Sequence, residues 1–328
     1  MEEKKTATQK RVAHSNPDVH YSIPLPIDVS DPLDSFMQRM CEILGYHPDT
    51  ILPDGKFHRF STSGKRDDTA GWYICFKMRL SSGEVVAGVF GDFRQGIKEK
   101  WHQFHHDRLS SVDMALLKAR QAAAMKKARD VRLQDQKEAV AVAQKQWHNA
   151  IPASDSHPYL LRKKVRPHGI RQDGDVLLIP VKDEQGNLWS LQKIYPDGNK
   201  RFHKHGVVHG NFFPISNLAG ESPICICEGY ATGASIHQMT GYPVVCTFSA
   251  NNLRPVAIKI RNRFPLRKII LCADNDAHLE AEGKVNIGVE KAKEAAHAIG
   301  AHLSIPPSDG TAVDFNDFYQ AQCGQGGV

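Results

Sequence analysis

Apolar and polar positions change rhythm several times along the chain. Residues 1–30 are polar and punctuated by proline, and read as a disordered arm. Asp31-Pro32 has the form of a helix N-cap with proline at the first helical position, opening a helix through Phe36 and Met37 to Leu44. Trp72–Leu80 is a strand-like run that meets Ser81-Ser82-Gly83-Glu84 and then Val85–Phe90, the pattern of a β-hairpin. Gly91-Asp92-Phe93-Arg94 reads as the following turn. A small α+β N-terminal module over 31–108 is the expectation. From Ser111 to Ile151 there is neither glycine nor proline, and Ala, Lys, Arg and Gln dominate. This predicts one long helix, or two in tandem, as a basic helical linker over 109–152.

Shorter apolar runs follow. Val176–Val181 and Leu188–Tyr195 are separated by the turn Asp183–Asn187, and Pro196–Asn199 marks a second turn before the basic stretch Lys200–Gly206. Residues 153–220 therefore read as a compact antiparallel β-rich subdomain with a basic rim. In the final third, strands at Pro223–Glu228, Pro243–Phe248, Lys268–Ala273 and His302–Ile305 alternate with helices at Ala231–Met239, Leu253–Arg263 and Val285–Ile299. That alternation argues for an α/β domain over 221–322, mostly parallel and flanked by helices, with a flexible tail at 323–328.

At 328 residues and ~150 residues per domain, the chain has room for about two domains. Its hydrophobic fraction of 41% and charged fraction of 24% are those of a globular protein. Runs such as Ile269–Ala273 fall far short of the ~20 apolar residues that cross a bilayer, and the charged N-terminus is followed by no apolar segment. A cytoplasmic protein, neither secreted nor membrane-bound, is expected. The seven cysteines show no CxxC or paired Cys/His spacing, so no zinc is expected. Cys225 and Cys227 read as neighbours on one face of a buried strand. Charge is uneven: Ser156–Gly210 holds ten Lys/Arg against five Asp/Glu, whereas Glu221 to the end holds nine against eleven. A basic middle joined to an acidic end suits a nucleic-acid track leading to a metal site.

Strand carboxyl ends are where α/β sheets collect functional side chains. One apolar run delivers Glu228-Gly229, and another delivers Asp274-Asn275-Asp276, whose two aspartates project to one side of an extended chain. Asp314-Phe315-Asn316-Asp317 adds a third acidic group. Glu228, Asp274 and Asp276 are the candidate catalytic acids, and Asp274, Asp276, Asp314 and Asp317 the candidate metal ligands. Such hard oxygen donors suit Mg2+ or Mn2+ and metal-assisted phosphoryl or nucleotidyl transfer. Each has a plainer reading: a strand exit for Glu228, a helix N-cap for Asp314. Lys182, Lys193, Lys200, Arg201 and Lys204 are the cations of the basic stretch, whose plain reading is a solvated rim. Trp189 and Phe202 are open between base stacking and core packing.

Glu228-Gly229-Tyr230-Ala231-Thr232, Ala273-Asp274-Asn275-Asp276 and Asp314-Phe315-Asn316-Asp317 resemble the three acidic motifs of the TOPRIM domain of primases, topoisomerases and certain nucleases. His157-Pro158-Tyr159-Leu160, Leu178-Ile179-Pro180-Val181 and Lys200-Arg201-Phe202 resemble the segment before TOPRIM in phage and plasmid primases. Gly71-Trp72-Tyr73 and Gly88–Arg94 resemble a module of phage and plasmid primase–helicases. The resemblance implies a DNA primase that joins nucleoside triphosphates into short primers on a single-stranded DNA template. It implies Mg2+ held by Asp274, Asp276 and Asp314, with Glu228 as general base or further ligand, and nucleic-acid or triphosphate contact by Lys182, Lys193, Lys200, Arg201 and Lys204. Either Asp314 or Asp317 fits the third ligand position. The zinc module common in such primases has no counterpart in the cysteine spacing. No G-x-x-x-x-G-K-[ST] occurs, so a separate replicative helicase is expected as partner, unless the chain is a piece of a longer protein. A TOPRIM nuclease and a non-catalytic single-stranded-DNA-binding accessory of replication are the competing readings.

Overall fold

A computed structural model describes residues 31–64, 68–80, 83–103, 110–277, 279, 283, 285–308 and 312–325. The arm at 1–30 lies outside them. The chain divides into two compact units, Met1–Arg129 and Asp130–Val328.

In the first unit, helix α1 (Pro32–Leu44) starts as its sequence dictates. Asp31 accepts a hydrogen bond from the Leu33 N–H at 2.8 Å, and Pro32 occupies the first turn. Strands β1 (His58–Phe60), β2 (Gly71–Leu80), β3 (Gly83–Asp92) and β4 (Ile97–His102) form an antiparallel sheet in that order. Tyr73, Cys75, Val86 and Phe90 pack with Phe36, Met40 and Leu44 of α1. On the other face, Ile74, Phe76 and Ala87 meet Leu117 from the first part of α2 (Ser111–Asn149). The hairpin is longer than its sequence pattern suggested. β3 continues through Gly91 and Asp92, which pair with Lys98 and Ile97. The turn is displaced to 93–96 because the Asp92 carboxylate accepts from the Arg94 and Gln95 N–H groups, at 2.6 and 2.8 Å.

The long helix α2 is a single element of 39 residues. Ser110 and Asp113 begin it with reciprocal hydrogen bonds of 3.1 and 2.8 Å. The boundary between units falls within it, and its second part belongs to the second unit, where Ala143 and Trp147 pack on Leu178, Leu188 and Leu191.

Those leucines belong to an antiparallel sheet in sequence order: β5 (Ile151–Pro152), β6 (Arg171–Asp173), β7 (Val176–Lys182), β8 (Leu188–Ile194) and β9 (Lys200–Phe202). A short helix, α3 (Pro158–Lys163), sits between β5 and β6. The second sheet comprises β10 (Phe213–Ile215), β11 (Ile224–Cys227), β12 (Val244–Cys246), β13 (Ile269–Cys272) and β15 (His302–Ser304) in the order β10-β12-β11-β13-β15. All are parallel except the edge strand β10. Helices α4 (Tyr230–Thr240), α5 (Ala250–Arg263), α6 (Ile287–Ile299) and α7 (Phe315–Gln325) connect or follow these strands. A two-stranded ladder of β14 (Asn275–Asp276) and β16 (Ala312–Val313) stands apart.

Two-residue alternation divides the parallel strands between two cores. Ile224, Ile226, Ile269 and Leu271 pack beneath α5 and α6 through Leu253, Val256, Ala292 and Ala295. Cys225, Cys227, Cys246 and Cys272 face the other way, against Tyr230 and Ala234 of α4. Cys225 and Cys227 thus share one buried face, as the sequence pattern indicated, and all seven cysteines are free thiols. This second core also takes in Tyr159, Leu160, Leu177, Ile179 and Ile194, so the antiparallel and parallel sheets of this unit share one apolar interior. The expected tail is helical as far as Gln325, in α7, and residues 326–328 lie outside the described set. Among the described residues, no helix is long and apolar enough to cross a membrane.

Candidate active site

Strands β11 and β13 are neighbours, with Ile226 opposite Leu271. Their carboxyl ends therefore place Glu228 and Asp274 side by side. β14 continues to Asp276 and pairs antiparallel with β16, setting Asp276 opposite Ala312 and Asn275 opposite Val313. This pairing carries the third acidic group to the second. Asp314 follows β16 and caps α7, its carboxylate accepting from the Asn316 and Asp317 N–H groups at 2.7 and 2.9 Å. Its other oxygen accepts from the Thr232 hydroxyl at 3.3 Å. The helix-cap and site readings of Asp314 are therefore compatible.

Electrostatics show how tightly the acids are grouped. Burial, reinforced by Glu228, Asp314 and Asp276, pushes the Asp274 carboxyl up to about 8. Burial and the nearby Asp276 push Glu228 up to about 7, against the Ala250 N–H at the start of α5, which donates to it. One Asp274 oxygen, Oδ1, is buried with no hydrogen-bond partner among the described residues. A buried carboxylate oxygen left in that state costs free energy unless another charge satisfies it. Among the described residues, no three carboxylate, imidazole or thiolate groups stand close enough to share one ion with their side chains as they lie. The donor set nevertheless fits a divalent cation in its chemistry: hard oxygens, mutual repulsion and an unpartnered buried acceptor.

Asp317 is placed differently. Its carboxylate accepts from the Asp314 N–H at 3.2 Å and lies 3.8 Å from Lys163 Nζ. It closes the helix cap, while Asp314 acts on Asp274.

The five candidate cations do not form one group, and strand alternation is the reason. Lys200 pairs with Ile194, which pairs with Leu177 on the face toward the shared core. Arg201 pairs with Lys193, which pairs with Leu178 on the opposite face, toward α2. Lys200 is the cation that acts on Asp274. Its own pKa is lowered by desolvation and by Lys163, against the pull of Asp314 and Asp274, and its Nζ stands 5.9 Å from the Tyr159 ring centre. Lys182 is turned to the Trp147 ring, 5.7 Å away, beside Arg171. Lys204 is solvent-exposed on the segment after β9. Phe202 shares the Lys200 face and meets Phe248 edge-on at 5.9 Å. Phe202 and Trp189 are 39% and 38% exposed, so neither is core.

Several residues that shape the site carry no motif. Asn286, buried at the start of α6, accepts from the Val289 and Asp276 N–H groups and donates to Asn275 Oδ1 at 3.0 Å. Gly288 lets the same helix end approach: a Cβ there would lie 2.6 Å from the Asp274 carbonyl oxygen and 3.6 Å from Glu228 Oε1. Phe248, a non-glycine residue at φ +73°, donates its N–H to the Glu228 carbonyl at 2.7 Å. Asn286 has the residue type of a helix cap, and Thr232 lies within the first acidic motif. The cap signal of Asn286 is readable but not specific.

Residues 223–325 match the family described as Toprim domain. With the acids at the strand ends and β14–β16 joining the second motif to the third, that observation decides the matter. Residues 223–325 are a Toprim domain. Two curated relatives from Escherichia coli, both named DNA primase TraC, extend the likeness upstream of it. One is 32% identical over 273 residues, covering 80% of this chain and 24% of the relative. The other is 31% identical over 272 residues, covering 80% of this chain and 18% of the relative. The chain thus spans about a quarter or less of the length of the curated relatives it matches. The solved primase fragment of the bacteriophage T7 primase–helicase aligns with a TM-score of 0.39 at 18% identity, over 50% of this chain and 69% of that one.

Proposed function

We propose that this chain is the DNA-primase part of a plasmid- or phage-type replication protein, joining nucleoside triphosphates into short primers on single-stranded DNA. The observation that carries this reading is the coupled group Glu228, Asp274, Asp276 and Asp314 on the edge of the Toprim sheet, in a chain similar to DNA primase TraC over 80% of its length.

Asp274, Asp276 and Asp314 are the residues that would hold Mg2+ or Mn2+, with Asp274 Oδ1 as the acceptor awaiting a charge. Asp314 takes this role in preference to Asp317, because Asp314 acts on Asp274 whereas Asp317 lies 3.8 Å from Lys163 Nζ. When bound there, a divalent ion supplies neutralisation of the triphosphate and a lowered pKa for the attacking 3′-hydroxyl. Glu228, raised to about 7, is suited to accept a proton near neutral pH. Thr232 holds Asp314, and Asn286 holds the Asn275 side chain and the Asp276 N–H. Lys200 neutralises incoming phosphate beside Asp274, and Phe202 offers an exposed ring on the same face. Lys182, Lys193, Arg201 and Lys204 add a broader positive field for template phosphates. In domain terms, 153–220 serves as the basic subdomain of the catalytic core and 221–322 as its acidic half, with duplex unwinding left to a helicase outside these residues.

The test is primer synthesis on single-stranded DNA with labelled nucleotides and Mg2+ or Mn2+, beside the Asp274→Ala/Asp276→Ala variant. Short labelled products from the wild type, lost in the variant, are the expected result. Metal-dependent degradation of the template without synthesis would contradict the reading in favour of a nuclease.

A further inference from the structure

The first unit carries an aromatic surface that the proposed chemistry leaves unused. Cross-strand pairing sets Arg59 opposite Trp72, Trp72 opposite Gly91 and Gly91 opposite Lys98, a row across all four strands on the face away from α1. Alternation along β4 puts Lys100 on the same face. Leu117 of α2 covers Ile74, Phe76 and Ala87 on this face. At the Trp72 end, Phe57 stacks on the Trp72 ring at 5.5 Å and 17°, and Phe93 lies 5.7 Å from Trp72 and 6.2 Å from Phe57. Gly91 makes room for the Trp72 ring, since a Cβ there would come within 2.9 Å of its Cζ2. The Arg59 guanidinium sits 4.8 Å over the Phe93 ring. Trp72 is buried, while Phe57 and Phe93 are 37% and 48% exposed, so two supported rings are open to solvent.

Charge indicates what covers them. Strand positions on this face supply Arg59, Lys98 and Lys100 and no carboxylate. Glu99 belongs to the opposite face, where it pairs with Arg39 at 3.4 Å. Among the described residues, the carboxylates of the neighbouring turns are engaged. Asp54 binds His58 at 2.8 Å, Asp68 binds Arg94 at 2.6 Å, and Asp92 accepts from Thr62 and two backbone N–H groups. Rigid rings braced from beneath, with cations beside them and no free acid among the described residues, suit a chain of stacked bases joined by phosphates. Base stacking on aromatic rings tolerates any sequence.

We propose that this face of the first unit binds single-stranded nucleic acid, with bases on Phe57 and Phe93 and the backbone along Arg59, Lys98 and Lys100. The proposal takes from the functional reading above only the choice of DNA as probe.

The experiment is fluorescence anisotropy of a labelled oligothymidylate titrated with the full chain. Wild type is compared with Phe57→Ala/Phe93→Ala and Lys98→Glu/Lys100→Glu, each checked for folding by circular dichroism. The aromatic variant should lose about tenfold or more in single-strand affinity. The charge variant, which alters exposed side chains alone and keeps the proposal open to refutation if the aromatic variant does not fold, should bind weakly and lower the salt slope by about one or more. Wild-type affinity in either folded variant, no binding by the wild type, or equal affinity for duplex would overturn the proposal. So would a wild-type dimer that the aromatic variant dissolves, because the rings would then be covered by a second copy. Binding is read directly, so the outcome stands whether or not the protein makes primers.

Discussion

The acidic edge of the parallel sheet and the basic strand β9 are built on opposite plans. Glu228 and Asp274 sit at the ends of adjacent buried strands; burial and Asp276 raise the pKa of both, and Glu228 and Asp314 raise that of Asp274 further. Arg201 and Lys204 are exposed, and Lys200 and Arg201, though sequential, point to opposite faces of their sheet. Charges of one sign held together in a low dielectric act as a unit, so removing one changes all the others. Exposed cations in water act singly and weakly. The lesson is that equal numbers of charged residues in a motif do not carry equal energy: burial and shared neighbours decide it.

The largest expected effect comes from breaking the acidic unit. Asp274→Asn should lower primer synthesis by about 10^2- to 10^4-fold, several kcal/mol of lost charge stabilisation, as read by product yield at saturating nucleotide. The same substitution should stabilise the metal-free protein at alkaline pH. Asp274 and Glu228 have folded pKa values near 8 and 7, above their ordinary values of 3.8 and 4.5. Their protonated forms are favoured by folding, so this contribution is fully present below about pH 4 and is lost as pH rises through 7 and 8. Melting temperature measured from pH 5 to 9 should therefore fall in the wild type, fall less in Asp274→Asn, and recover in the wild type on adding Mg2+.

Gly288→Ala sharpens the comparison through the backbone. Its new Cβ, 2.6 Å from the Asp274 carbonyl oxygen, should cost about 1–3 kcal/mol in chemical denaturation and displace the acid beside it, reducing synthesis as well. The β9 pair gives the smallest effects. Lys200→Ala should reduce synthesis more than Arg201→Ala, which should change it by no more than about threefold and show mainly as a shallower salt dependence. Equal losses from the two substitutions would break the claim that strand alternation separates their roles.

Much of the site was legible in the sequence because parallel strands are apolar runs that end abruptly in acids: Ile224–Cys227 before Glu228, and Ile269–Ala273 before Asp274. The long helix was equally plain from its lack of glycine and proline. What brings the third acidic group to the second was not legible, because β14 and β16 are two residues each and their pairing is set by tertiary packing. The division of Lys200 from Arg201 follows from a period of two, but only once the register of Ile194 and Leu177 is known. Gly288 and Asn286 lie in an unremarkable stretch and matter because α6 starts against the Asp274 backbone. Phe57 lies in a loop, and no local pattern reveals that it stacks on Trp72.

The central claim is that Glu228, Asp274, Asp276 and Asp314 form one coupled cation site, and calorimetric titration with Mn2+ tests it most directly. At pH 7.5, in buffers of differing ionisation enthalpy, binding should release protons, because Asp274 and Glu228 begin partly protonated. Release should diminish toward pH 9 and disappear, with most of the affinity, in Asp274→Asn. Binding with no proton release at pH 7.5, or undiminished in Asp274→Asn, would contradict the account.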